Sequence, residues 1–240
     1  MISKGLITIL SFCFFTLVNY HAKILPKIER YLKFYKKLSD SKDWDGNLTS
    51  SIHAIMVTTW FVATFIAFPR FHSKHDLFYS PFFCEIGICF SLGYFLYDLI
   101  VIIPKDFKSN IQYLPHHLLS ILSIVLGLHS GKYYLGMMLL LCMEGSTPFI
   151  NNIYFLKKLN LRKHPVFILN GILIVFTWIL FRYIIGVGYF VFLVIFNWEE
   201  YKKRPILGIY WIFMELGFTI MNTIWFIKIC KGFVKLVFKQ

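Results

Sequence analysis

Four residues of this chain carry side chains that handle protons and sit where few side chains do: Asp98, His116, His117 and Glu144, all inside or at the edge of long apolar runs. An imidazole takes and gives protons at neutral pH or accepts an acyl group, and a neighbouring carboxylate fixes its tautomer and stabilises the imidazolium. That combination suits acyl transfer from a thioester to an amine or hydroxyl. His116 and His117 lie about 100° apart on a helix, so both can line one hollow without converging on one point. His53, Arg182, Asn151 and Asn222 are further polar residues within apolar segments and are expected to line the same hollow; Glu215 completes the ionisable set. Ionisable groups in a span are costly and face the interior or a water-filled cavity. Adjacent histidines with His53 and a carboxylate raise the alternative of a transition metal. The chain has 8 histidines, far from the clustered sets of membrane di-iron oxygenases, and the pair His72 and His75 stands apart in a loop. No metal is expected.

The elements that hold these residues are apolar runs. The chain has 240 residues, is 58% hydrophobic and 20% aromatic, and has a mean hydropathy of +0.64. Soluble chains are roughly 45–50% apolar, and a crossing helix needs about 20 residues. Seven candidates stand out, near 5–20, 48–69, 81–103, 114–130, 133–156, 165–196 and 205–229. The fold expected is an all-α polytopic membrane protein of about seven transmembrane helices, with no separate soluble domain.

The net charge of +13 does not mean nucleic acid, because the basic residues fall in loops. Alternating the seven spans puts seventeen Lys and Arg on one side and seven on the other, with Arg182 alone inside a span. The positive-inside rule then places the N-terminus in the lumen and the C-terminus in the cytosol. Asp98, His53 and the two histidines all enter their spans from that cytosolic side, so the hollow is expected to open there. The first span is short enough to be a signal peptide, though "NYHA" is a poor cleavage site. Ile28, Tyr31, Leu32, Tyr35 and Leu38 follow helical spacing among lysines and read as an amphipathic helix on the membrane surface. The only glycosylation sequon, at Asn47, falls on the cytosolic side. The five cysteines all lie in apolar segments and make neither a disulfide framework nor a zinc pattern.

The segments "SIHA" (51–54), "GYFLYD" (93–98), "HH" (116–117), "MEGSTPFINN" (143–152), "NGILIVFTWILFR" (170–182) and "MNTIWFIKICKG" (221–232) occur in an order and spacing that resemble the TLC-domain family, the superfamily that includes the ceramide synthases. The resemblance implies a barrel-like bundle of six helices around a central cavity, preceded by an extra N-terminal helix. It divides the chain into an N-terminal span with its basic loop (1–46), the TLC domain (47–232) and a basic tail (233–240). It also implies an endoplasmic reticulum or endomembrane setting, a lipid or fatty acyl chain as partner, acyl-CoA as co-substrate and no tightly bound cofactor. In ceramide synthases the paired histidines and nearby aspartates serve acyl transfer to a sphingoid base. Here the two histidines stand, Ser120 replaces a threonine, Glu144 an aspartate, Met143 a histidine and Thr147 a second aspartate. Two other readings stay beside this one: a non-catalytic cargo or trafficking receptor, and a seven-span receptor, for which the chain lacks the usual motifs.

Overall fold

Backbone polar groups in hydrocarbon must be satisfied within the segment, so apolar runs of this length fold as helices. The computed structural model describes residues 3–28, 43–70, 79 and 81–238, and among them there is no strand. The helices are α1 (Lys4–Ile28), α2 (Trp44–Ala67), α3 (Phe82–Tyr97), a single turn α4 (Phe107–Asn110), α5 (Leu114–Ser130), α6 (Tyr134–Cys142), α7 (Thr147–Lys158), α8 (Pro165–Trp178), α9 (Tyr189–Phe196), α10 (Trp198–Lys203) and α11 (Pro205–Phe238). Of the expected surface helix, Ile28 falls at the end of α1 and the rest, Tyr31 to Leu38, lies outside the described residues, as do the pair His72 and His75 and the last lysine of the tail.

Six segments are long and apolar enough to cross a membrane: Lys4–Lys23, Trp44–Ala67, Phe82–Asp106, Ile111–Ser130, Pro165–Phe196 and Pro205–Val234. The fifth of the seven expected spans is absent from that group. Its two helices, α6 and α7, are joined through a 3-10 stretch, Met143–Ser146, which carries Glu144. The segment still travels the length of the bundle. Near its start the Tyr134 hydroxyl donates to Glu85 Oε1 (2.8 Å), beside Lys4 (3.3 Å from the same oxygen). Near its far end Asn151 Nδ2 donates to Asn47 O (3.1 Å) and Ser51 Oγ (2.9 Å). All of α6 but Leu140 is buried. The stretch from Tyr134 to Ser146 is walled in by protein and tolerates Glu144, whereas in α7 Asn151 alone is buried.

The bundle therefore has two ends: one marked by Lys4, Glu85 and Tyr134, the other by Asp45 and Asn151. α6 fills the Lys4 half, packed against α2, α3, α5 and α9. The hollow expected down the middle is confined to the Asp45 half.

α1 lies along α3. Gly93 makes the close crossing workable: a Cβ there would stand 2.5 Å from Ser11 Cβ and from the backbone oxygen of Thr8. Ser11 Oγ donates across to Phe90 O (2.6 Å). Small residues at a crossing let backbones approach, which is how helices gain contact where lipid is as apolar as leucine. Phe15, fully buried, seals the interface with its ring 4.9 Å from that of Tyr94.

Candidate functional site

Three spans depart from α-helical winding at the positions that carry a charge. Asp98 opens a π-helical stretch, Asp98–Ile102, followed by the 3-10 turn Ile103–Asp106 with Pro104 inside it. Glu144 lies in the 3-10 stretch Met143–Ser146, which ends just before Pro148. Arg182 lies in a π-helical stretch, Ile179–Gly188. Proline removes a donor and breaks the ladder, and π turns cluster at functional sites because the changed winding re-aims a side chain. Two glycines hold the second and third stretches together. A Cβ on Gly145 would meet the Phe181 ring at 2.8 Å, and one on Gly186 would meet Met143 Cε at 2.4 Å. Each glycine is the notch that receives a side chain of the other stretch.

That contact places Arg182 against Ser146. Its Nε donates to Ser146 Oγ (2.9 Å), one terminal nitrogen to Asn222 Oδ1 (2.6 Å) and the other to Thr147 Oγ1 (3.4 Å). The guanidinium lies 4.1 Å above the Trp178 ring, a cation–π contact of the kind that offsets a buried charge. Thr147 in turn donates to Glu144 Oε2 (2.7 Å), while Glu144 Oε1 lies 3.2 Å from His116 Nε2. The result is a run of contacts, Arg182–Thr147–Glu144–His116, in which each group has a partner of complementary character. A second pair stands beside it: His117 Nε2 is 3.0 Å from Asp98 Oδ2. The imidazole centroids are 5.4 Å apart at 83°. Neighbours on one helix thus turn to carboxylates from two different spans.

Both pairs wall a cleft of about 520 Å³, which also takes in Tyr94, Asn151, Trp178 and Arg182. From there its lining runs to Asp45, Lys105 and Lys228 at the Asp45 end of the bundle. Asp45 is a functional candidate that sequence reasoning passed over. It is 3% exposed, accepts from Asn19 Nδ2 (3.0 Å), lies 3.3 Å from Lys23 Nζ, and accepts from Lys105 Nζ at 2.7 Å. Only its place in the first turn of α2 offered a hint; its partners come from α1 and from the turn after Asp98.

The other expected residues divide. Asn151 and Arg182 line the cleft. Asn222 lies behind it, bonded to Arg182 and 3.4 Å from Met143 Sδ. His53 does not reach the cleft: it is fully buried, stacked on Tyr94 (3.8 Å, 9°), with Nε2 3.3 Å from Ser91 Oγ. Tyr94 takes the place facing the cleft and covers it. Glu215 is buried with neither oxygen hydrogen-bonded and lines no part of the cleft. Among the described residues no three His, Cys, Asp or Glu side chains gather as a metal site.

A helical, polytopic membrane protein with two histidine–carboxylate pairs on one cleft is the class that fold and site define. The TLC domain pattern matches residues 43–231, and the chain belongs to the TLC-domain family. It is similar to TLC domain-containing protein 4 of Homo sapiens, 27% identical over 245 residues that cover 96% of this chain and 89% of the relative. It is also similar to TLC domain-containing protein 4-B of Danio rerio, 26% identical over 211 residues, 85% of this chain and 79% of the relative. The match to TLC domain-containing protein 1 of Gallus gallus is 30% identical over 118 residues, 49% of this chain and 46% of the relative.

Proposed function

We propose that this protein handles lipid: it holds an acyl chain or lipid in the cleft and uses the two histidine–carboxylate pairs to pass an acyl group from acyl-CoA to an amine or hydroxyl. One observation carries the reading. His116–Glu144 and His117–Asp98, at 3.2 and 3.0 Å, stand side by side on the wall of a cleft of about 520 Å³, within the roughly 300–1,000 Å³ that ligand sites occupy. In such a pair the carboxylate orients the imidazole, and the imidazole takes the acceptor's proton and returns it to the leaving thiolate. Arg182, Thr147 and Asn222 act on Glu144 from behind. We place the protein in the endoplasmic reticulum or a related membrane, as the TLC resemblance implies, with the N-terminus lumenal and the cleft open to the cytosol, because the sequence puts seventeen of its Lys and Arg on one side and Lys23 and Lys105 of that set stand at Asp45.

The test is purified protein given labelled acyl-CoA with a panel of amine and hydroxyl lipids. Transfer is expected, and it should vanish when His116 and His117 are both changed to alanine; transfer that persists would end the histidine mechanism. Lipid profiles of cells with and without the protein then name the acceptor. Asn47 should stay unglycosylated, since a glycan there would put the cleft mouth in the lumen. A second reading, lipid binding without catalysis, is favoured by one contact. Thr147, where the related enzymes have an acid, spends its hydroxyl on Glu144. Retention of lipid without transfer would select that reading.

A further inference from the structure

The seam between α5 and α11 is tight toward the Lys4 half and loosens toward the Asp45 end. The two helices run antiparallel, so Leu119 faces Gly217, His116 faces Phe218 and Tyr113 faces Trp225. A Cβ on Gly217 would stand 3.4 Å from Leu119 Cδ1, and the Phe218 ring lies 5.6 Å from that of His116. One turn from Leu119, Pro115 is exposed; two turns from Gly217, on the same face of α11, Ile224 is 50% exposed. An aromatic pair bridges the seam at this level: the rings of Tyr113 and Trp225 are 6.0 Å apart. Both line the cleft. Tyr113, in the 3-10 turn before α5, is 43% exposed, and Trp225 is partly exposed. The Trp225 ring lies 5.7 Å from that of His116. The two aromatics thus have the His116–Glu144 pair on one side and the outer face of the bundle on the other. That outer face meets lipid, since α5 and α11 belong to segments long and apolar enough to cross a membrane. Tryptophans of an aromatic belt turn to the headgroups; this one turns inward, to an imidazole.

We infer that the cleft has a second mouth, opening sideways into the bilayer between α5 and α11, with Trp225 as its door, and that a lipid already in the membrane enters there and brings its polar end to His116. The inference rests on the proposal that the cleft holds a lipid or acyl chain. Energetics favour such a route. A lipid that reached the cleft through water would expose its chain, at about 0.8 kcal/mol for each methylene. A lipid that moves sideways keeps its chain in hydrocarbon throughout. Its amine, hydroxyl or ester group lies near the boundary between headgroups and hydrocarbon, the level at which tryptophan side chains gather. The two mouths then sort the ligands by solubility. The mouth lined by Asp45, Lys105 and Lys228 is polar and suits a donor with a water-soluble head. The side mouth, flanked by Pro115, Ile224 and the two aromatics, suits the bilayer lipid. Trp225 decides which lipids pass, and has no part in the proton transfer.

The experiment uses the full chain in lipid nanodiscs with two photoreactive probes, each bearing a diazirine and an alkyne: a long-chain fatty acid dissolved in the bilayer and an octanoyl-CoA added in the water. Crosslinks at Tyr94, Asp98 and Glu144 are mapped by peptide mass spectrometry. The readout is the ratio of bilayer-probe to water-probe labelling at early times. Trp225→Ala should raise that ratio about tenfold, as a barrier lowered by about 1.4 kcal/mol does, and Trp225→Phe should raise it less. Ile224→Trp sets a bulky ring on the lipid side of the seam and should lower the ratio; Ile224 is exposed, so this variant tests the door without disturbing the core. A ratio that neither Trp225→Ala nor Ile224→Trp moves overturns the side mouth and leaves the cleft reading standing. Labelling of the cleft by the water probe alone does the same. Labelling by neither probe sinks the cleft reading and this inference with it.

Discussion

The seam between α1 and α3 and the seam between Met143–Ser146 and Ile179–Gly188 both rely on glycine notches, yet they are built to opposite ends. In the first, winding stays α-helical, the side chains are small or aromatic, and one hydroxyl bonds a backbone oxygen. In the second, both strips leave α-helical winding and the approach brings a guanidinium onto three side-chain oxygens. The contrast teaches that close approach alone stabilises a helix pair, whereas close approach with altered winding delivers polar groups to a chosen place. The chain puts the altered winding where the cleft is and nowhere along the crossing of α1.

The comparison is broken most directly at Arg182. Arg182→Ala should destabilise the protein by about 3–5 kcal/mol, the range for removing one partner of a buried charge network. Arg182→Lys should recover little of it, because an ammonium replaces neither the fork nor the stacking on Trp178. Unfolding followed in detergent measures both; a loss no larger than that of an exposed substitution would mean the second seam does not depend on charge.

Next in size is an effect on transfer. Asp98→Asn and His117→Ala should each lower it by about a hundredfold. The double variant should be no worse than the weaker single, as for residues that act as one unit. Additive losses would show that the two do not work as a pair. At the first seam, Gly93→Val should cost about 1–3 kcal/mol as overpacking. It should leave the rate of transfer by the folded fraction unaltered, which sharpens the division between a crossing that stabilises and one that positions. The smallest effect is expected at the rim. Asp45→Asn, which leaves Lys23 and Lys105 without their carboxylate, should cost about 1.5 kcal/mol and shows as a lower melting temperature.

Helices and charged positions were legible because lipid makes both stand out: an apolar run predicts a span, and Asp98, Glu144 and Arg182 inside such runs predict an interior. Which carboxylate meets which histidine was not, since His116 and His117 are adjacent while Glu144 and Asp98 come from different spans. His53 was expected to line the hollow and does not, since periodicity says nothing of what covers a residue, and Tyr94 stands between this one and the cleft. Asp45 was passed over because it precedes the apolar part of its span and its partners are distant in the chain. The altered winding at Asp98, Glu144 and Arg182 arises from tertiary contact, with Pro104 and Pro148 as the only local signs.

The pairing of α1 with α3 carries a consequence for how the chain is made. Ser11 bonds Phe90, 79 residues later, and α2 is synthesised between them. At about 5–20 residues per second, the ribosome needs roughly 4–16 s to deliver that partner. Until then Ser11 faces the bilayer, or whatever insertion factor shelters it, with its eventual neighbour still untranslated, whereas Asn19 waits only the 26 residues to Asp45.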